Sequence, residues 1–295
     1  MTTNTHARTD VVSVLQPSGT GRIEATDLTL AYGKKTIVDD LSFLPPQGQL
    51  TVLAGPNGCG KSTLLRGLAR LIPHQSGQVI LNDTPIDGRN SKSIARELAV
   101  LPQSPIVPAG LTVGELVSRG RYPYRGVLRP WSSEDDAAVT EAIVDTDLTD
   151  LADRRIDSLS GGQRQRAWIA MVLAQRTGVL LLDEPTTYLD ITYQIEVLDL
   201  LKRLVERRGT TIVVVLHELS LAARYAQHLV LMRDGHIYCQ GPAHEALTHD
   251  SVRNVFDLEA QIITDPVSTT PLVIPIRPLR HHNTSSVEGG NHHGA

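Results

Sequence analysis

Residues 50–63 read LTVLAGPNGCGKST, an apolar run that ends in a glycine-rich loop. Leu50–Ala54 suits a buried strand. Gly55-Pro56-Asn57-Gly58-Cys59-Gly60-Lys61-Ser62-Thr63 matches the pattern G-x-x-x-x-G-K-[ST], and Thr63–Leu71 begins a helix. Glycines in such a loop let backbone N–H groups turn inward around phosphate oxygens, which Cβ atoms would obstruct. Lys61 supplies a point charge to the β and γ phosphates. The Ser62 hydroxyl suits a Mg²⁺ shell, and the positive end of the helix faces the same anion.

Further along the chain, short apolar runs end in polar residues. Leu98–Leu101 is followed by Pro102 and Gln103, Val179–Leu182 by Asp183 and Glu184, and Ile212–Leu216 by His217. Continuous runs of four or five apolar residues suit parallel strands covered on both faces. Ile191, Ile195, Leu198, Leu201 and Val205 recur at helical spacing, as do Ile169, Val172 and Leu173. Strands interleaved with helices predict an α/β fold with a mostly parallel sheet, whose ligands bind at the carboxyl ends of the strands. An acidic residue at the end of a buried strand is costly without a cation. Asp183 is therefore the natural partner for Mg²⁺ held by Ser62, and Glu184 is placed to act as general base on water. His217 is placed to contact the γ-phosphate, but a lone histidine after a strand is more often structural, and Gln103 carries the same ambiguity.

Composition sets the outer bounds. The 295 residues are 41% hydrophobic and 20% charged, with a net charge of −4, which argues against a nucleic-acid binder working through a basic surface. No apolar run approaches the ~20 residues that cross a bilayer, and the N-terminus lacks a secretory pattern. Two cysteines, Cys59 and Cys239, fit a reducing compartment. Residues 1–20 read as a flexible leader and 21–264 as the folded body. Residues 265–295, interrupted by Pro266, Pro271, Pro275 and Pro278, read as a flexible C-terminal tail. His281, His282, His292 and His293 are read as part of that solvated tail rather than as a metal site.

Leu159-Ser160-Gly161-Gly162-Gln163-Arg164-Gln165-Arg166 narrows the field. Ser160 is a good N-cap, two glycines follow, and a helix over about Gln163–Gln175 aims its dipole at an anion. A second anion-facing helix start, about a hundred residues after the first, suggests ATP clasped between two chains. With these motifs in this order, residues 22–260 resemble the ATP-binding subunits of ABC transporters. The resemblance implies a P-loop NTPase cassette with a RecA-like core, an antiparallel β subdomain and a helical lobe at about 104–175. It matches Tyr32 to the adenine-stacking aromatic and Gly55–Thr63 to the Walker A loop. Gln103 corresponds to the Q-loop glutamine, and Ser160, Gly161, Gly162 and Gln163 to the signature. Asp183 and Glu184 match the Walker B aspartate and catalytic glutamate, Asp190 of Tyr188-Leu189-Asp190 the D-loop, and His217 the switch histidine. ATP and Mg²⁺ are the implied cofactors, with Ser62, Gln103 and Asp183 around the metal.

The strings Leu101–Gly126, Leu159–Met171 and Asp183–Leu201 are similar to the iron-siderophore importer branch, with Gly120–Tyr124 and Trp168 carrying most of that likeness. Cobalamin and haem importers are near relatives. Glu218-Leu219-Ser220 stands where that branch more commonly has Asp-Leu-Asn. Cys59 in the phosphate loop is common in the branch, so a redox role is not assigned to it. The implied partners are membrane permease subunits docking at about Gln103–Arg125, a second copy of the chain, and indirectly an extracytoplasmic siderophore-binding protein. The implied location is peripheral, at the cytoplasmic face of the cell membrane. A soluble ABC ATPase acting on ribosomes or DNA is the chief rival. The chain has one cassette, and Ser62–Ser160 leaves no room for the long coiled coil of DNA-repair relatives. A GTPase is disfavoured because no Asn-Lys-x-Asp motif occurs.

Overall fold

The computed structural model describes residues 20–103, 105, 110–126 and 129–279. The chain opens with β1 (Ile23–Tyr32) and β2 (Lys35–Phe43), then β3 (Leu50–Ala54), α1 (Lys61–Leu68), β4 (His74–Leu81), β5 (Thr84–Pro85) and α2 (Ser91–Ile94). After β6 (Leu98–Leu101) come α3 (Val113–Ser118), a 3₁₀ helix at Arg119–Tyr124, α4 (Ser133–Asp145) and α5 (Gly161–Leu173). The chain returns through β7 (Val179–Leu182), α6 (Ile191–Arg208), β8 (Thr211–Val215), α7 (Leu219–Tyr225), β9 (His228–Arg233) and β10 (His236–Gly241). It ends with α8 (Ala243–Ala246), α9 (His249–Phe256), β11 (Leu258–Thr264) and β12 (Pro271–Pro278).

A six-stranded sheet in the order β10-β9-β3-β8-β7-β6 forms the centre. Its strands pair parallel from β9 to β6, with β10 antiparallel at the edge. The continuous apolar runs are explained by the two cores they separate. Along β7, Leu180 and Leu182 enter one core while Val179 and Leu181 enter the other. Along β8, Ile212 and Val214 part from Val213 and Val215 in the same way. Successive strand residues point to opposite faces, so a strand buried on both sides must be apolar throughout. One core joins the sheet to α3, α4, α5 and α6. The other joins it to α1 and to the antiparallel sheet β2-β1-β4-β5. The expected α/β fold with an antiparallel subdomain and a helical portion is thus what forms. Helix α5 starts directly after its N-cap Ser160, two residues before the expected start at about Gln163.

The C-terminal boundary needs correction. The sequence reading ends the folded body at residue 264, but Pro271–Pro278 pairs antiparallel with Leu258–Thr264, and Val273 and Ala260 are buried. Proline lacks an N–H for a ladder, yet a two-stranded sheet leaves half its donors without a strand partner, so an edge strand tolerates it. Pro275 sits beside a register shift between Glu259 and Ala260. Asp265 closes the turn, accepting from the Ser268 hydroxyl and the Val267 N–H. The leader at residues 1–19 and the histidines at 281, 282, 292 and 293 lie outside the described residues.

Candidate active site

Four central strands present their carboxyl ends to one region. After β3 the chain turns at Gly55, where a Cβ would lie 2.3 Å from the Met232 carbonyl oxygen and 2.8 Å from the Cys59 sulfur. No other residue fits there without moving β9. Gly60, with φ of 108°, then leads into α1. This helix has no side-chain cap and no acidic residue in its first turn. Among the other helices, α2, α3, α4, α5, α6 and α9 are capped by side chains, whereas the short α7 and α8 are not. A helix start leaves unsatisfied N–H groups, and one without a cap is suited to an anion.

The Lys61 ammonium is buried and donates to the carbonyls of Gly55 and Pro56, both at 2.9 Å. The Cys59 sulfur lies 3.8 Å from it. Burial pushes the Cys59 thiol up, outweighing the pull of Lys61, so the thiol stays protonated at neutral pH. Redox-sensing cysteines need thiolate character, and this one lacks it.

The Ser62 hydroxyl donates to Asp183 Oδ1 at 2.7 Å. Asp183 is 3% exposed, and its N–H is held by the Leu101 carbonyl at 2.9 Å. Burial pushes its carboxyl up; the Ser62 hydrogen bond opposes this, while the neighbouring Glu184 charge adds to it. A buried carboxylate beside a hydroxyl is a hard-oxygen pair of the kind that takes Mg²⁺, and a cation there would relieve the cost of burying Asp183. The donor set therefore fits the metal.

Glu184 follows with φ of 53°, a left-handed conformation that costs a non-glycine residue about 1 kcal/mol or more. The turn aims its carboxylate at three donors. Gln103 Nε2 donates to Oε2 at 2.5 Å, Thr187 Oγ1 donates to Oε2 at 3.0 Å, and His217 Nε2 lies 2.5 Å from Oε1. Gln103 and His217, which sequence reading assigns to metal and γ-phosphate, here both meet at Glu184. Thr187 was missed. Its only signal is a hydroxyl three residues after Glu184 in a Pro-containing turn. Beside this group, a cavity of about 280 Å³ is lined by Glu184, Thr187, Gln194, His217 and Glu218 among others.

Tyr32 stands at the end of β1, 46% exposed, its hydroxyl accepting from Arg66 of α1 at 3.3 Å. A half-exposed aromatic ring tied to the helix that follows the loop suits stacking on a base. The signature forms a second group. Ser160 Oγ accepts from the Gln163 N–H at 3.2 Å, and Gln163 Oε1 accepts from the Ser160 N–H at 3.1 Å, a reciprocal capping box. Gly161 is exposed, but Gly162 is buried against the Tyr193 ring, so only the first glycine is a pure backbone-access position. Asp190 caps α6, accepting from the Tyr193 N–H at 3.2 Å. The signature and the Tyr188–Asp190 turn are thus packed together. Tyr188, with φ of 66°, is 93% exposed, and Ile191 is also exposed.

The family model described as "ABC transporter" matches residues 38–187. The chain is 54% identical over 257 residues to "Probable siderophore transport system ATP-binding protein YusV" of Bacillus subtilis (strain 168), covering 87% of this chain and 94% of that protein. It is 49% identical over 255 residues to the ferric enterobactin transport ATP-binding protein FepC of Escherichia coli (strain K12), covering 86% and 94%. Among solved structures, a metal-chelate-type ABC transporter in an inward-facing conformation superposes with a TM-score of 0.75 at 27% identity, covering 88% of this chain and 98% of that one. The dimeric post-hydrolysis cassette MJ0796 bound to ADP and Pi gives 0.65 at 26% identity, covering 75% and 98%. On these matches the chain belongs to the ABC transporter family, as an ATP-binding cassette.

Proposed function

We propose that the chain is the ATP-hydrolysing subunit of a ferric-siderophore importer, working as a head-to-tail homodimer at the cytoplasmic face of the cell membrane. The observation that carries the ATPase reading is the convergence of Gln103, Thr187 and His217 on Glu184, next to the Ser62–Asp183 pair. Lys61 exchanges its loop carbonyls for β- and γ-phosphate oxygens. Ser62, Asp183 and Gln103 would hold Mg²⁺, which would supply neutralisation of charge on the phosphates. Glu184 takes the proton of the attacking water, and Thr187 and His217 keep its carboxylate aimed, with His217 also in reach of the γ-phosphate.

The dimer reading is supported by Tyr188 and Ile191, apolar side chains left exposed beside the signature. A second copy would cover them and bring its Ser160–Gln163 to the ATP held by Gly55–Thr63 of the first. Permease docking is supported by a groove of about 930 Å³ in the helical portion, lined by Leu111, Thr112, Glu115, Arg119, Tyr122 and Trp131 among others. Its size and mixed apolar and charged lining suit a short helix of a membrane subunit. Ferric siderophore as cargo follows the relatives' names; an extracytoplasmic binding protein would deliver it.

The test is growth and iron uptake by a deletion strain supplied with individual ferric siderophores, or with haem, under iron limitation. Loss of uptake of at least one siderophore, restored by the gene, is the expected result. Normal uptake of every siderophore overturns the cargo assignment, and a defect confined to haem replaces it.

A further inference from the structure

Residues Arg119–Tyr124 form a 3₁₀ helix immediately after α3. Three residues per turn place i and i+3 on one side, so this segment has two faces. Arg119, Tyr122 and the following Arg125 line the groove assigned to the permease. Arg121 and Tyr124 turn the other way. Arg121 is completely buried; its Nε donates to Asp135 Oδ1 of α4 at 2.8 Å and its Nη1 to the Ala174 carbonyl at 2.9 Å. The guanidinium lies 3.8 Å from the centre of the Tyr124 ring, and the Tyr124 hydroxyl donates to the Gln175 carbonyl at 2.7 Å. At Gly120 a Cβ would stand 2.1 Å from the Met171 carbonyl oxygen, so the backbones are in contact.

Ala174 is the C-cap of α5, and the other end of α5 is Ser160–Gly162. One face of the 3₁₀ helix therefore touches the docking groove, while its opposite face grips the far end of the helix that presents the signature. Thirteen helical residues carry a displacement about 20 Å. Burial works to raise the Asp135 carboxyl, yet hydrogen bonds from Arg121 and Ser132 hold it below the usual carboxylate range, so the pair stays charged. A buried ion pair is weak as a source of stability, because removing two charges from water costs about what their attraction returns. A planar guanidinium with fixed partners does, however, enforce one geometry.

We infer that Arg121 is a positioning residue for permease-stimulated ATP hydrolysis, locking the groove-lining segment to the C-terminal end of the signature helix. The inference rests on the groove being the permease site. The test uses the full chain, alone and co-purified with its permease in proteoliposomes, with the variants Arg121→Lys and Tyr124→Phe. The double variant Arg121→Met/Asp135→Leu removes both buried charges at similar volume and covers the case in which the lysine variant does not fold. Each variant is expected to hydrolyse ATP at the wild-type rate without permease, while stimulation by the permease falls about three- to thirtyfold for Arg121→Lys and less for Tyr124→Phe. Stimulation equal to wild type overturns the inference, as does a loss of basal and stimulated rates in equal proportion. A wild-type chain that the permease does not stimulate overturns the docking assignment itself, and the inference with it.

Discussion

Replacing Gly162 with alanine would place a methyl group 2.5 Å from Cγ, 2.6 Å from Cδ1 and 3.0 Å from Cβ of Tyr193. Carbon atoms pack at about 3.5–4.0 Å, so the overlap is close to 1 Å on three atoms. Tyr193 lies in the first turn of α6, beside the half-buried Gln194 whose side-chain amide donates to the Leu189 carbonyl, so the ring yields only if the helix start moves. Overpacking of this kind costs about 1–3 kcal/mol, and three close contacts on a ring put it near the top of that range. The helix-propensity gain from glycine to alanine returns at most about 1 kcal/mol. A net loss of about 2 kcal/mol lowers Tm by about 4–8 °C in a chain of this size class. At Gly161 the nearest atom to an added Cβ is Leu189 Cδ2 at 3.9 Å, an ordinary contact, so Tm should hold or rise slightly. That methyl would instead stand where backbone N–H groups meet phosphate, and ATPase activity should fall about a hundredfold. Thermal unfolding together with ATP hydrolysis separates the two variants. An unshifted Tm for Gly162→Ala, or a destabilised but fully active Gly161→Ala, would refute the packing argument.

Asp183 gives a prediction with a defined sign. Because its carboxyl is pushed up in the folded state, chiefly by burial, the folded chain binds that proton more tightly than the unfolded chain. The resulting destabilisation is absent below the ordinary carboxylate pKa of about 3.9 and grows as pH rises through the folded value. Asp183→Asn should therefore melt higher than wild type at neutral pH without Mg²⁺, with the gap closing in acid; equal melting at neutral pH contradicts this. Mg²⁺ with nucleotide should stabilise wild type more than the variant. Truncation after Thr264 removes β12 and uncovers Ala260, and should lower stability by at least about 1.5 kcal/mol, the value of burying one valine such as Val273. An unchanged urea midpoint would mean that the hairpin does not contribute to the core.

The central sheet was legible because its strands are buried on both faces, which forces uninterrupted apolar runs, and because their polar ends carry the chemistry. Leu182-Asp183-Glu184 states both facts in three residues. Other features were hidden for physical reasons. The β12 strand carries three prolines, a signal that argues against a strand unless the strand is known to lie at an edge. Gly162 reads as an open backbone position, yet its constraint is the Tyr193 ring thirty-one residues away in sequence, which no local pattern reports. Arg121 enters the sequence reading only as part of the Gly120–Tyr124 stretch; its burial was hidden, since arginine is seldom buried unless paired and its partners Asp135 and Ala174 come from other helices. Thr187 acts through a turn whose shape depends on the left-handed Glu184.

The most direct test of the account is Glu184→Gln, which keeps the size of the side chain and removes the basic carboxylate that Gln103, Thr187 and His217 hold in place. The measurement is steady-state ATP hydrolysis, with sizing of the protein in ATP as a control for binding. Turnover is expected to fall by about 10²–10⁴ while ATP-dependent dimers persist. Hydrolysis at the wild-type rate would contradict the assignment of Glu184 as general base, and with it the chemistry proposed for the site.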